Sequence, residues 1–247
     1  MIIKGFIMTL GMFSIIPVPK NSWNDECMPL LIPSLPVVGA LIGFIWYGSA
    51  LLLSQTSLSL MIRSAIILFI PLILSGFLHM DGYMDTADAV LSRRDLPEKK
   101  RILKDPYVGA FSIFAAAVLI VFQFSAVHTI LEEHRNLSVI AFIPVISRCI
   151  VGIAMINLKP AFETGYNASF RKGAKPRHTL FICILAAICI SLAWLHPGIS
   201  LLPLLIELFA GILVTIYLYR QFNGISGDLC GCIITVSEFA AILFISC

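Results

Sequence analysis

The sequence predicts an all-α, polytopic integral membrane protein with about seven transmembrane helices and a short interfacial or re-entrant helix at the N-terminus. Hydrophobic residues make up 59% of the chain and charged residues only 13%, with a mean hydropathy of +0.96. Soluble domains carry about 25% charged residues, so this composition cannot supply an ordinary water-facing surface. Long apolar runs and an uneven placement of the cations support the same fold class. No repeat or linker divides residues 1–247, which we interpret as a single domain.

The first apolar run is short. Residues 5–16 fall below the about 20 residues that a helix needs to cross a bilayer, and Pro17 and Pro19 follow them. We therefore predict an interfacial or re-entrant helix here, and whether it spans the membrane is left open.

Seven further apolar runs are close to the length of a membrane span. Pro71 and Pro144 lie inside two of these runs, and we expect them to kink their helices. The runs are residues 35–54, 64–79, 109–131, 137–157, 179–195, 200–219 and 229–246.

The cations lie mostly in alternate loops. With the N-terminus in the cytoplasm, two of the 17 Lys and Arg residues (Arg63 and Arg135) lie outside, Arg148 lies within a span, and the other 14 lie in cytoplasmic segments. An excess of Lys and Arg marks the cytoplasmic side of a membrane protein. The sequence therefore predicts that the polar loops, and any site that they form, face the cytoplasm.

Other uses of the reactive residues are disfavoured. The seven cysteines are odd in number, lie mostly in apolar runs and form no C-x-x-C pair. We interpret them as small buried hydrophobes, not as a zinc or haem site. No basic stretch carries interleaved aromatic residues, so we expect no nucleic-acid partner.

Polar residues are concentrated in the window 79–112. Asp81, Asp85 and Asp88 are spaced i, i+4 and i+7, which places them on one face of a helix. Neighbouring carboxylates repel each other, and a Mg²⁺ ion held by carboxylates and a substrate phosphate would relieve that repulsion. The alternative is a solvated acidic face. We favour the metal because polar residues are so scarce in this chain.

The residues around these aspartates have several interpretations. Gly82 leaves room for a ligand or a neighbouring backbone, and His79 is either a hydrogen-bonded packing residue or a ligand or base. The segment from Asp95 to Glu98 predicts an N-cap and a capping box that open a second short helix.

Five cations in the loops are candidates to contact a phosphate, and Asp105 lies beside one of them. Anchoring at anionic lipid headgroups is the alternative for each. The cations are Arg93, Lys104, Arg171, Lys172 and Arg177.

A second acidic point follows in the loop 221–228. Ser226 and Gly227 form part of a glycine-rich turn, and Asp228 begins the last span, where a charge is costly without a partner. Arg148 and Glu238 also lie in spans, as does Glu207, and they are either functional or form an ion pair that joins two helices.

These features fit one class of substrate. A carboxylate cluster, a second carboxylate from a distant loop and surrounding cations are what a metal-bound diphosphate requires. A carboxylate could also accept the proton of an attacking hydroxyl. The residues therefore indicate phosphoryl or nucleotidyl-type transfer at a membrane surface.

Five segments resemble one enzyme family. Residues 79–88, His-Met-Asp-Gly-Tyr-Met-Asp-Thr-Ala-Asp, resemble the H-x-D-G-x-x-D-T-A-D signature of the cobalamin synthases, or adenosylcobinamide-GDP ribazoletransferases. Residues 13–19, 35–43, 104–111 and 224–228 resemble, in order, that family's I-P-V-P segment, first span, K-D-x-x-x-G-A-F stretch and G-x-T-G-D turn.

The resemblance implies the final step of cobalamin nucleotide-loop assembly. A hydroxyl of α-ribazole, or of its 5′-phosphate, attacks the cobinamide-linked phosphorus of adenosylcobinamide-GDP, and GMP leaves. Family members use Mg²⁺ and lie in the bacterial or archaeal cell membrane. An assembly, either a homo-oligomer or a complex with other late cobalamin-pathway enzymes, is left open.

The resemblance also implies roles for individual residues, although it leaves open which aspartate is the base. The metal ligands would be Asp81, Asp85, Asp88, Asp228 and Glu238; the catalytic groups Asp85, Asp228 and Asp105; and the substrate contacts His79, Gly82, Arg93, Lys104, Arg148, Arg171, Ser226 and Gly227. Three positions depart from the family pattern: Ala89 replaces a Gly, Phe162 an Arg and Thr235 a Glu.

Two alternatives are weaker. A CDP-alcohol phosphotransferase would need D-G-x-x-A-R, but no Ala-Arg follows Asp85. A transporter with an ion path through Arg148, Glu207 and Glu238 would need polar residues distributed through the spans, whereas most lie at one face.

Overall fold

Apolar helices dominate the structure, a computed structural model that describes residues 2–19, 23–163, 173 and 175–247. Within these residues the only β-type pairing is an isolated bridge between Pro160 and Ile225, so the all-α prediction is confirmed. The helices are α1 (Ile2–Phe13), α2 (Leu31–Ser54), α3 (Leu60–Leu74), α4 (Leu78–Leu91), α5 (Leu96–Ile102), α6 (Ala110–Glu132), α7 (Ile143–Asn157), α8 (Pro176–Leu195), α9 (Leu202–Phe222) and α10 (Gly227–Ser246), with 3₁₀ helices at Asp25–Leu30 and Leu137–Ala141.

The predicted number of spans is confirmed. Among the described residues, six helices are long and apolar enough to cross a membrane, and the bent pair α3 and α4 gives a seventh if it counts as one span. The short N-terminal helix is also present, as α1, and it packs against α2. The protein is therefore a multi-pass membrane protein.

The predicted run 64–79 does not form one helix. The helix α3 ends at Leu74, and α4 leaves it at an angle of 89°. Gly76 and Phe77 both adopt the left-handed conformation, with φ of 61° and 59°, which no α-helix continues through. As a result His79 lies in the first turn of α4, not at the end of a straight span.

Pro144 does not kink a helix, contrary to the prediction. It occupies the first turn of α7, where the missing N–H has no partner to lose, and the 3₁₀ helix Leu137–Ala141 precedes it. The predicted run 137–157 is thus two elements.

The helix α7 forms the centre of the bundle and contacts α2, α8, α9 and α10. Gly39 and Gly43 of α2 face its beginning, because a Cβ on either glycine would lie within 2.2 Å of a carbonyl oxygen, that of Pro144 or Ala141. Small residues of this kind let two membrane helices approach to backbone contact.

The cysteine prediction holds for five of the seven. Cys27, Cys149, Cys189, Cys230 and Cys232 are buried, as expected of small hydrophobes. It is wrong for the other two, Cys183 and Cys247, which are exposed.

Candidate active site

The aspartates lie on one helix, α4, as predicted. Asp81 is exposed in its first turn, Asp85 is half-buried, and Asp88 is 9% exposed. The opposite side of α4 is apolar, and Met80 packs against Ala116 of α6. The apolar side of α4 therefore packs against α6.

The start of α10 adds the fourth carboxylate. A Cβ on Gly82 would lie 2.6 Å from the carbonyl oxygen of Asp228, so the two backbones are in contact. The negative charges of Asp81, Asp88 and Asp228 all act on the carboxylate of Asp85. The room predicted at Gly82 is filled by a neighbouring backbone, which brings Asp228 to α4.

The turn before α10 fixes this contact. Ser226 caps α10 by accepting a hydrogen bond from the backbone N–H of Leu229 at 3.3 Å. Gly227 is exposed, and a Cβ there would meet nothing within 4 Å, so open space adjoins the turn. Gly224 has φ of 156° and would place a Cβ 2.5 Å from the amide nitrogen of Ala161, so this position requires glycine.

Asp88 has a structural task that the sequence did not reveal. Its two carboxylate oxygens accept hydrogen bonds from the backbone N–H groups of Gly109, at 2.6 Å, and Ser112, at 3.0 Å. These groups belong to the N-terminus of α6, where four N–H groups lack helical partners. Its role as a metal ligand stays a prediction.

Asp81 and Asp85 differ from Asp88. Among the described residues, no donor or cation contacts either carboxylate. Two neighbouring carboxylates without counter-charge suit a hard divalent cation. No three His, Cys, Asp or Glu side chains of the described residues form a ready-made metal cage. Mg²⁺ usually takes only one or two carboxylates and completes its shell with water and substrate phosphate, and its binding here stays a prediction.

The loop between α5 and α6 carries Lys104 and Asp105. The Lys104 ammonium lies 3.9 Å from the ring centre of Phe162, a cation–π contact. Asp105 accepts a hydrogen bond from the backbone N–H of Tyr107 at 3.1 Å and lies 3.5 Å from Arg101. These contacts hold Asp105 within its own loop, and its catalytic role stays a prediction.

The capping box predicted for α5 is wrong. Asp95 is the N-cap, but its side chain makes no capping hydrogen bond. Glu98 instead accepts two hydrogen bonds from Arg101, at 2.8 and 3.0 Å, and they lower the pKa of Glu98. The side chain reaches forward along the helix because Arg101 lies only three residues away.

Two further cations of α5 bind protein, not headgroups. Lys99 donates to the side chain of Gln221 on α9, and Lys100 donates to the carbonyl of Ala161 at 2.6 Å. Backbone hydrogen bonds join residues 159–161 to Ile225, with lengths of 2.8 and 2.9 Å. The three polar loops are therefore tied into one layer.

The other cations that were predicted to contact a phosphate are Arg93, Arg171, Lys172 and Arg177. Arg93 is exposed and ends α4 with φ of 54°, and Arg177 is exposed at the start of α8. Arg171 and Lys172 lie outside the described residues. Their contacts with phosphate stay predictions.

Arg148 and Glu238 form an ion pair with each other. Arg148 is 2% exposed, and its guanidinium contacts the carboxylate of Glu238, which also accepts a hydrogen bond from Ser147 at 2.7 Å. This is the structural alternative that joins α7 to α10. The predicted substrate contact of Arg148 and the predicted metal contact of Glu238 stay predictions.

A cavity of about 310 Å³ adjoins the aspartates on the side of α10. His79 and Asp228 line it together with apolar side chains that include Phe13 of α1, Met155 of α7 and Ile234 of α10. Sequence reasoning missed these apolar residues because they come from separate helices and carry no motif.

Comparison with known proteins identifies the family. The family described as cobalamin-5-phosphate synthase matches residues 5–246. The chain belongs to this family.

Relatives in three bacteria carry a name that agrees with this family. Adenosylcobinamide-GDP ribazoletransferase of Clostridium botulinum (strain Alaska E43 / Type E3) is 37% identical over 245 residues, covering 99% of this chain and 97% of the relative. The enzymes of the same name from Clostridium perfringens (strain SM101 / Type A) and Geobacillus sp. (strain WCH70) are 32% and 31% identical, over 98% and 92% of this chain and 97% and 89% of their own. No solved structure matches. The predicted family and enzyme class are confirmed.

The structure shows the surroundings of the three residues that depart from the cobalamin synthase pattern. Thr235 donates its hydroxyl to the backbone carbonyl of His79 at 3.1 Å and so joins α10 to α4. Phe162 lies beneath Lys104, which keeps a cation beside the position where the family pattern has Arg. Ala89 is fully buried in the core, where its methyl group packs against other apolar side chains.

Proposed function

We propose that this protein joins adenosylcobinamide-GDP to α-ribazole, or to its 5′-phosphate, in a Mg²⁺-dependent reaction at the carboxylates of α4 and α10. The observation that carries the proposal is the pair of carboxylates on Asp81 and Asp85, which lack counter-charge among the described residues, beside Asp228. Membership in the cobalamin-5-phosphate synthase family supports the final step of cobalamin assembly as the reaction.

The reaction is a substitution at phosphorus. A ribazole hydroxyl forms the new P–O bond to the cobinamide-linked phosphorus, the P–O bond to GMP breaks, and the proton of the hydroxyl passes to a carboxylate. Asp85 and Asp228 are the candidates for that proton. When bound at Asp81 and Asp85, Mg²⁺ would supply positive charge that neutralises the charge developing on the leaving group.

The other residues bind and orient. Asp81 and Asp85 would hold the metal beside Asp228, and Asp88 would hold the start of α6. Lys104 and Arg93 would attract the diphosphate, because cations near a transferring phosphoryl group lower the energy of its transition state.

We place the site at the cytoplasmic side of a bacterial or archaeal cell membrane. The basis is the distribution of cations along the chain, which follows the positive-inside rule. The loops that carry these cations also adjoin the aspartate layer. Substrates from the cytoplasm would then reach the carboxylates directly.

The test is GMP release by the purified protein in lipid vesicles with Mg²⁺, adenosylcobinamide-GDP and α-ribazole 5′-phosphate. We expect Asp85→Asn to lower kcat by at least about 100-fold, because the substitution removes a carboxylate from the centre of the cluster. Asp95→Asn is the matched control, since Asp95 is exposed and its side chain makes no capping bond. Undiminished turnover in Asp85→Asn, or turnover that chelation of Mg²⁺ leaves unchanged, would contradict the proposal.

A further inference from the structure

The cavity beside Asp228 has a clear division of chemistry. Five helices (α1, α2, α4, α7 and α10) enclose its about 310 Å³, within the range of small-molecule sites. Met12, Phe13, Met155 and Ile234 form part of its apolar wall. The ionisable residues that line it are His79, Asp228 and Cys230. The cavity thus has an apolar interior that borders the carboxylates.

His79 is the polar group whose role is unexplained. Its residue is 8% exposed, its backbone carbonyl accepts from Thr235, and its imidazole has no hydrogen-bond partner among the described residues. His79 lines the cavity, so its imidazole can form a hydrogen bond to a group that is bound there. A neutral imidazole offers one N–H donor and one acceptor nitrogen.

We propose that this cavity binds the heteroaromatic base of the nucleoside substrate, with the His79 imidazole hydrogen-bonded to the free ring nitrogen of the base. The inference rests on the proposed function, which supplies α-ribazole, a riboside of a fused benzimidazole. Asp228, at the border of the cavity and the carboxylate cluster, then lies on the side where the ribose hydroxyl must enter.

The other parts of the two substrates fit this cavity poorly. A phosphate would lose its hydration against an apolar wall without a cation, which costs several kcal/mol. Guanine carries donors and acceptors around its whole edge, and most would have no partner there. A benzimidazole is flat and largely apolar, and methionine and phenylalanine side chains make favourable contacts with aromatic rings.

The first test fills the cavity. Met155→Trp should raise KM for α-ribazole 5′-phosphate at least about tenfold and leave KM for adenosylcobinamide-GDP unchanged, because only the base is excluded. Ile153→Trp is the matched control: it lies on the same helix but lines a different cavity, between α7, α8 and α9. An equal rise of both KM values, a rise only for adenosylcobinamide-GDP, or no rise would overturn the assignment.

The second test isolates the hydrogen bond. His79→Phe keeps a planar ring but removes the donor, so it should raise KM for the benzimidazole riboside phosphate about tenfold. It should leave KM unchanged for the indole riboside phosphate, which has the same shape but a CH group in place of the free nitrogen. Equal effects on the two substrates would contradict the role of His79.

A competition measurement on the wild-type protein tests the cavity assignment without relying on the folding of any variant. Free 5,6-dimethylbenzimidazole should compete with α-ribazole 5′-phosphate and not with adenosylcobinamide-GDP, and competition with the latter would overturn the proposal. If the wild type releases no GMP, the proposed function has failed. Equilibrium dialysis of the benzimidazole riboside against wild type and Met155→Trp then judges the cavity separately, and equal binding by the two proteins would reject it.

Discussion

At the scale of the residue, identical carboxylates serve different purposes because their neighbours differ. Asp88 is bound by two backbone N–H groups, whereas Asp81 and Asp85 have no donor among the described residues. Glu238 forms an ion pair with Arg148 in the interior. Chemistry at this site therefore belongs to the carboxylates that the fold leaves unpaired.

Asp88→Ala should lower the free energy of unfolding by about 1–2 kcal/mol, because it removes the side-chain cap of α6. A denaturant titration in mixed lipid–detergent micelles measures this, and the loss should persist with Mg²⁺ chelated. Asp95→Ala, at an N-cap without a capping bond, should change stability by less than about 0.5 kcal/mol. A loss for Asp88→Ala that appears only with Mg²⁺ present would assign Asp88 to the metal alone.

Arg148→Leu should cost about 3–5 kcal/mol of stability, since it leaves the Glu238 carboxylate largely buried without its partner. The double variant Arg148→Leu/Glu238→Leu should recover most of that loss because neither member of the ion pair is then left buried without the other. The same titration checks both proteins. An additive loss in the double variant would show that the two residues act independently.

At the scale of the element, α4 and α10 form the joint on which the site depends. They meet through glycines: a Cβ on Gly82 would lie 2.6 Å from the carbonyl oxygen of Asp228, and one on Gly231 would lie 3.1 Å from that of His79. The contact fixes the distance between the aspartates of α4 and Asp228. The left-handed break at residues 76–77 turns α4 away from α3 and aims it at α10.

Gly82→Ala should therefore lower kcat by at least about tenfold, since displacement of reacting groups by about 1 Å can cost as much as 100-fold. Gly48→Ala is the matched control, because a Cβ there meets nothing within 4 Å in the middle of α2. GMP release gives kcat for both proteins. If the two substitutions behave alike, the close contact of α4 and α10 has no part in activity.

At the scale of the whole molecule, the polar loops form one layer, while the exposed surfaces of the long helices are mostly apolar. The exposed side chains of α6, α8 and α9 include many large hydrophobic residues, as expected of a lipid-facing surface. Lys99 and Lys100 join α5 to α9 and to residue 161, so the layer is held together by the same cations that indicate its side of the membrane.

Cysteine labelling tests this orientation. In a protein whose exposed Cys183 and Cys247 are replaced by Ser, Asp95→Cys should react with a membrane-impermeant maleimide only in inverted vesicles. Ser57→Cys, in the exposed loop between α2 and α3, should react only in right-side-out spheroplasts. The opposite pattern would place the carboxylates outside the cytoplasm.

The sequence by itself determined the fold class, the approximate spans, the aspartate face of α4 and the family. Each of these follows from composition or from local spacing. Asp81, Asp85 and Asp88 share one face as soon as their segment is helical, because they are spaced i, i+4 and i+7. The sequence also predicted that Asp228 belongs to the same site, because a metal-bound diphosphate requires a carboxylate cluster, a second carboxylate from a distant loop and cations.

Only the tertiary structure decided which partner each polar residue takes. The bend after Leu74, the cap that Asp88 gives to α6, the pairing of Arg148 with Glu238 and the apolar cavity beside His79 all depend on residues far apart in the chain. A carboxylate that is equally suited to a metal, a helix N-terminus or a guanidinium is assigned by whichever of them the packing of the helices brings within about 3 Å.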